Sequence, residues 1–180
     1  SVGYHLNKLK SIDRKITSSE GAARFFRSLY TDGEIELRES FFVLFLNRAN
    51  IPIGYYQLSV GGIHATVADI RIILGIALKA LAVGIIVAHN HPSSLTIASQ
   101  ADIALSKKLK ETAALFNISV LDSMIITKND HSSLADDGLM DVTSPYPLKT
   151  FTTSKVNEKP NALLELEAEA LRLELELLTL

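Results

Sequence analysis

The stretch from residue 88 to residue 102 constrains what this chain can fold into more than any other part of the sequence. It follows the apolar run 82–87, which is rich in β-branched residues and short for a helix, so we predict a buried strand there. Side chains two residues apart in a strand lie on the same side. His89 and His91 are therefore expected to converge at the end of this strand.

A helix is predicted from Ser99 to Lys110, after a turn at residues 92–94. Ser99 is a suitable N-cap, and Asp102, three residues later, is the acidic partner of a capping box. A strand end that faces the first turn of a helix brings two imidazoles and one carboxylate together. Catalytic zinc sites use three such protein ligands and leave a fourth position open for water. His89, His91 and Asp102 are thus the predicted ligands of Zn²⁺.

Simpler interpretations exist for each part of this pattern. Two histidines after a strand can be ordinary loop residues, and a carboxylate in the first turn of a helix can simply favour the helix N-terminus electrostatically. His-x-His alone is a weak signal, whereas His-x-His-x7-Ser-x-x-Asp is far more specific. The consecutive letters His-Asn-His do not indicate the nuclease motif of that name, whose residues are dispersed.

The full pattern resembles the JAMM (MPN+) metalloprotease motif, and His-Asn-His-Pro-Ser at residues 89–93 is similar to the signature of the bacterial RadC family. The resemblance covers residues 5 to 140 and extends to segments 16–19, 45–50, 61–63 and 133–139. It implies a three-layer, cytidine-deaminase-like fold with a mixed β-sheet flanked by helices and the metal at a strand–helix junction. Alternating strands and helices along the chain independently predict an α/β domain.

The resemblance also implies an enzyme, a zinc-dependent hydrolase that cleaves a peptide or isopeptide bond. The family uses a carboxylate near the first core strand as general base and then general acid, and Glu39 matches that position. Glu34 and Glu36 compete with it, although each is more typical of a solvated surface acid. Ser99 is expected to hydrogen-bond the tetrahedral oxyanion.

Three positions depart from the pattern of RadC relatives. Ser123 stands where the relatives commonly have histidine after aspartate, Ser94 where they usually have glycine, and Ala98 where they have proline. None of these changes removes a predicted ligand. They bear on the loop over the metal, and hence on the choice of substrate.

The other predicted elements follow from hydrophobic periodicity and turn residues. The elements are a helix over 20–30 capped by Ser18 or Ser19, an alternating entry segment 34–39, strands over 41–46 and 54–60, a helix over 69–79, a strand over 118–126 and a closing loop over 132–139.

His64, in a glycine-rich turn, is left out of the ligand set because a lone histidine there is more often structural or exposed.

Composition limits the class of protein. The chain has 180 residues, 47% hydrophobic and 21% charged, which suits a folded domain, and the absence of cysteine excludes disulfides. No apolar run approaches membrane-spanning length and no signal pattern is present, so the cytoplasm is expected. A net charge of −2 gives no basic field for nucleic acid. Bacterial members of the RadC family are nevertheless named for DNA repair. The alternative to a hydrolase of peptides or proteins is therefore a DNA-repair-associated or protein-interaction module on the same fold, without hydrolysis.

We divide the chain into a RadC-like domain (1–140), a linker (141–160) and a C-terminal helix (161–180). The last segment is almost entirely Leu, Glu and Ala, with leucines at the 3,4 spacing of a short heptad stripe. Its apolar surface favours pairing with a second chain, as in a homo-oligomer, over packing on its own domain. Its simple composition also suggests a non-native addition.

Overall fold

A computed structural model describes residues 15–31, 33–60 and 68–141, which lie in the unit Ser1–Thr143. The predictions for His64, the linker and the C-terminal helix lie outside these residues and stay predictions. The described elements are α1 (Ser19–Arg27), α2 (Glu34–Leu37), β1 (Ser40–Leu46), β2 (Pro52–Val60), α3 (Ile70–Lys79), β3 (Gly84–Asn90), α4 (Gln100–Ala114), β4 (Ser119–Ile126) and β5 (His131–Ser133).

The strands form one mixed sheet in the order β2-β1-β3-β4-β5. Only the β3–β4 pair is parallel among the four strand pairs of the described residues. Every residue of β1 and β3 is buried, which explains why both sequences are nearly continuous apolar runs. The predicted mixed sheet flanked by helices is confirmed.

The strand pleat divides the core into two layers, one on each face of the sheet. Odd-numbered residues of β1 and β3, such as Phe41 and Val87, pack with α3 and α4. Even-numbered residues, such as Phe42 and Ala88, pack with α1. The same alternation assigns His89 to the face of α3 and α4 and Asn90 to the face of α1.

Local signals in the sequence correctly predicted several helix starts. The Ser18 side chain caps α1 by accepting a hydrogen bond from Gly21 N at 3.2 Å. The Asp69 side chain caps α3 by accepting one from Arg71 N at 2.9 Å. Among the described residues, no helix is long and apolar enough to cross a membrane.

Three sequence predictions need correction, each because of structure that local pattern does not encode. β3 spans Gly84–Asn90 and not 82–87, since β1 pairs with it as far as His89 and β4 pairs with it as far as Asn90. The alternating segment 34–39 contains the short helix α2. The predicted closing loop begins with β5, a polar strand specified only by its pairing with the end of β4.

The two adjacent isoleucines of α3 test this layer arrangement. Ile73 is fully buried in the core, whereas Ile72 is 46% exposed. We expect Ile73→Ala to lower the free energy of unfolding by about 2–5 kcal/mol, because it removes buried methyl groups and leaves a cavity. Ile72→Ala, the matched control, should change it by less than about 1 kcal/mol. Urea denaturation measures both, and equal losses would contradict the assigned face of α3.

Candidate metal centre

The two histidines lie at the carboxyl end of β3, beside the antiparallel strand β1. His89 is the residue before the last of β3 and pairs with Phe41 on β1 and Ile125 on β4. Its ring stacks on the Phe41 ring, with centroids 6.0 Å apart and an interplanar angle of 6°. His91 follows the strand, and the Nε2 atoms of the two histidines are 3.0 Å apart. The expected convergence of the two rings is therefore present.

Asp102 reaches the same point from the first turn of α4, and the predicted capping box holds it there. The Ser99 hydroxyl accepts a hydrogen bond from Asp102 N at 3.2 Å. In return, Asp102 Oδ2 accepts from Ser99 N at 2.8 Å and lies 2.6 Å from Ser99 Oγ. The other oxygen, Oδ1, lies 3.3 Å from His89 Nε2. One ligand atom from each of His89, His91 and Asp102 thus lies within 4.8 Å of the others.

A backbone carbonyl fixes the orientation of the His91 ring. His91 Nδ1 lies 3.0 Å from the carbonyl oxygen of Leu95. Since a carbonyl only accepts, Nδ1 carries the proton and Nε2 keeps its lone pair. The turn that presents this carbonyl contains Ser94 at φ 60°, in the left-handed region where glycine is favoured. This conformation gives a physical reason for the glycine expected at this position in relatives.

Burial controls the charge of His89, which is only 5% exposed. Desolvation lowers the pKa of His89 from 6.5 to about 4, and His91 adds to this effect, while the Asp102 carboxylate acts in the opposite direction. The ring is therefore neutral at pH 7. Neutral imidazole is the form that binds metal ions.

The donor set fits a zinc ion. Zinc takes imidazole nitrogen and carboxylate oxygen at about 2.0–2.2 Å in a tetrahedral arrangement, which corresponds to ligand atoms about 3.3 Å apart. The His89–His91 Nε2–Nε2 distance is 3.0 Å and the His89 Nε2–Asp102 Oδ1 distance is 3.3 Å. The third pair is wider, with His91 Nε2 and Asp102 Oδ2 4.0 Å apart, so these two side chains would have to move closer together to share one ion. His91 also has the supporting hydrogen bond on its second nitrogen that ligating histidines almost always make.

A pair of buried serines supports the turn that carries Asp102. Ser106 Oγ lies 2.7 Å from the Asp102 carbonyl oxygen and 2.7 Å from Ser123 Oγ on β4. Ser123 is one of the three positions at which this chain departs from the pattern that it resembles, and its hydroxyl contacts the serine that bonds the Asp102 carbonyl. No pattern in the sequence predicted this pairing, since Ser106 is an ordinary polar residue within a helix pattern.

The neighbouring Asp122 ties β5 to β4. Its buried carboxylate lies 2.7 Å from Ser133 Oγ and accepts from Ala135 N at 3.2 Å. Burial raises the pKa of Asp122, and these hydrogen bonds partly oppose that effect.

Glu39 lies between α2 and β1 and is half-buried. The pairing of β1 with β3 ends at Phe41 and His89, so Glu39 lies two residues before the paired segment of β1 and His91 two residues after that of β3. Glu39 is not one of the three residues of the metal cluster. Its predicted role as the base therefore stays a prediction, as does the oxyanion role of Ser99.

The competing carboxylates of α2 form ion pairs at the surface. Glu34 bonds the Arg38 guanidinium and the Thr31 hydroxyl, and these contacts lower the pKa of Glu34 to about 2. Glu36 lies 3.0 Å from Lys128 Nζ. Both therefore behave as the surface acids that the sequence favoured.

An open groove of about 550 Å³ lies beside the loop that joins His91 to Ser99. None of the three cluster residues lines it, so it adjoins the centre and does not contain it. One wall is part of that loop and the other comes from β5 and the turn after it. The lining residues are Thr96, Ile97, Ala98, His131, Ser132, Ser133, Asp136, Asp137 and Leu139.

The depressed pKa of His89 predicts a pH dependence for the metal-free protein. Between pH 6.5 and 4 the unfolded chain binds a proton on His89 that the folded chain does not, so the free energy of unfolding falls as the pH falls. The loss amounts to roughly 3 kcal/mol across this window. Urea titrations of chelator-treated protein measure it, with His89→Gln as the control because glutamine has no titrating ring. Equal pH slopes for the two proteins would contradict a buried neutral His89.

Comparison with known proteins agrees with the geometry. A family model described as "RadC-like JAB domain" matches residues 16–139. A UPF0758 protein of Flavobacterium johnsoniae is 40% identical over 126 residues, covering 70% of this chain and 54% of that protein. UPF0758 proteins of Coprothermobacter proteolyticus and Haemophilus influenzae are both 38% identical, covering 67% and 62% of this chain and 50% and 51% of theirs. The chain spans about half the length of these curated relatives, and it belongs to the family of RadC-like JAB domains.

Proposed function

We propose that this protein is a zinc-dependent hydrolase of the JAMM type, acting on a peptide or isopeptide bond. The observation that supports this most strongly is the convergence of His89, His91 and Asp102 within 4.8 Å at a strand–helix junction of a JAB domain. The lone pairs of this cluster are kept available by the Leu95 carbonyl at His91 and by the burial of His89.

His89, His91 and Asp102 would hold the zinc ion. When bound, zinc lowers the pKa of a coordinated water from about 15.7 towards about 7 and polarises a carbonyl oxygen. Asp102 Oδ2 is engaged by the backbone and hydroxyl of Ser99, while Oδ1 lies 3.3 Å from His89 Nε2. The capping box would therefore orient the carboxylate as well as start the helix.

Glu39 would take a proton from the attacking water and transfer it to the leaving amine, first as general base and then as general acid. Ser99 would stabilise the oxyanion of the tetrahedral intermediate, a contribution whose loss typically costs about 10²–10³ in rate. Since the Ser99 hydroxyl lies 2.6 Å from Asp102 Oδ2, it would have to turn from Asp102 towards the substrate to do so.

The proposed substrate is a polypeptide. The groove beside the His91–Ser99 loop is open, has a volume of about 550 Å³, and is lined by both apolar and acidic residues. Ile97 in its wall and Leu95 in the same loop are 77% and 58% exposed, so the loop presents apolar side chains to solvent.

Glu39→Gln tests the mechanism while keeping shape and metal ligands. We expect this variant to bind about one zinc per chain and to lose hydrolysis by about 10²–10⁴-fold, because glutamine cannot accept the proton. The substrates are a proteome-derived peptide library and lysine-branched isopeptides, with new termini counted by mass spectrometry. Asp102→Asn is the contrasting variant and should lose zinc as well as activity.

A fully active Glu39→Gln protein would contradict the role of Glu39. A zinc-loaded wild type that cleaves neither substrate class would contradict hydrolysis and favour the alternative, an interaction module on the same fold.

A further inference from the structure

Asn90, between the two histidines, is completely buried at the last position of β3. The strand pleat sends its side chain to the opposite face from His89, towards α1 and α2. A primary amide has two donor hydrogens and an acceptor oxygen with two lone pairs, so burying it is costly unless these are paired.

All four hydrogen-bonding positions of Asn90 are used. Its Oδ1 accepts from the backbone N–H of Ser40 at 2.7 Å and from the Tyr30 hydroxyl at 2.9 Å. Its Nδ2 donates to the backbone carbonyls of Ile35 at 2.7 Å and Arg38 at 2.9 Å. Because a backbone N–H only donates and a carbonyl only accepts, these partners fix the orientation of the amide.

Two of these hydrogen bonds bracket Glu39. The Arg38 carbonyl belongs to the peptide group before Glu39, and the Ser40 N–H belongs to the peptide group after it. The carbonyl of Ile35 adds an anchor within α2. A single side chain therefore holds the backbone on both sides of Glu39, from a position 50 residues beyond Ser40 in the chain.

Tyr30 completes the network from the other side. Its ring packs edge-on against Phe42, with centroids 5.3 Å apart. Burial, together with the carboxylates of Glu34 and Glu39, raises the pKa of Tyr30, so the hydroxyl keeps its proton and remains a donor to Asn90.

We propose that Asn90 is a positioning residue for the hydrolysis proposed above, fixing the backbone of Glu39 relative to the strand that carries His89. The inference rests on the proposed role of Glu39 as base. Adjacent residues of β3 then have complementary tasks, since His89 contributes to the metal cluster on one face and Asn90 holds the base segment on the other. The two adjacent residues His89 and Asn90 would together set how far the backbone of Glu39 lies from the metal cluster.

The position of the Glu39 carboxyl can be measured directly in cobalt-loaded protein labelled with ¹³C-glutamate. The pseudocontact shift of its carboxyl carbon depends on its location relative to the metal, and its loss in Glu39→Gln assigns the signal. We expect Asn90→Ala to change this shift while the protein still binds cobalt. Ile73→Ala, a buried apolar variant outside the network, controls for lost stability and should leave the shift unchanged.

Kinetics supply a second readout on any substrate that the wild type cleaves. Asn90→Ala should lower kcat by about 10²-fold without raising KM, because a displaced base impairs the chemical step and not binding. In the Glu39→Gln background the same change should have no further effect. Ile73→Ala should keep the wild-type kcat.

If Asn90→Ala does not fold, Tyr30→Phe removes only one of the four bonds and should produce a smaller change in the shift of the same carbon. The proposal is overturned if the Glu39 carboxyl shift is unchanged in folded Asn90→Ala. If Asn90→Ala does not fold, an unchanged shift in Tyr30→Phe overturns it. Failure of the proposed function is distinguishable, since the wild type would then bind no cobalt or Glu39→Gln would stay active.

Discussion

The antiparallel pairing of β1 with β3 is the constraint on which the candidate site depends. It sets Phe41 opposite His89 and brings the segment before β1 next to the residues that end β3. A shift of this register by one residue would exchange the faces of every side chain in the strand, turning His89 towards α1 and Asn90 towards α3 and α4. The buried apolar residues of both strands resist such a shift, because they would all have to change layers together.

The site combines burial with retained lone pairs. Placing an imidazole beside Phe41, in the interior, disfavours its charged form and leaves its nitrogen available at neutral pH. The Asp102 carboxylate is supported by two contacts from Ser99 at the positive end of the α4 dipole. The cluster is therefore ordered by helix capping, a strand register and one backbone carbonyl, before any ligand is considered.

Much of the fold and of the candidate site could be predicted, because the signals for them lie within short stretches of the sequence. The strand–turn–helix around residues 88–102, the capping box at Ser99 and the cap at Ser18 each follow from a few adjacent residues. Those signals do not depend on distant parts of the chain.

The features that the sequence did not predict depend on distant partners. β5 has a polar sequence and exists through its pairing with β4. The extension of β3 to Asn90 requires β1 and β4 on either side. The four hydrogen bonds of Asn90 join segments that are up to 60 residues apart. Glu39 could be assigned by family resemblance alone, because only the strand register relates it to the histidines.

X-ray absorption spectroscopy at the zinc edge tests the central claim, a zinc site made by His89, His91 and Asp102, most directly. After dialysis of zinc-loaded protein, we predict about one zinc per chain with a first shell of two imidazole nitrogens and oxygen ligands. The imidazole signal should disappear in a variant carrying His89→Ala and His91→Ala. Zinc lost on dialysis, or a shell without imidazole in the unmodified protein, would contradict the site.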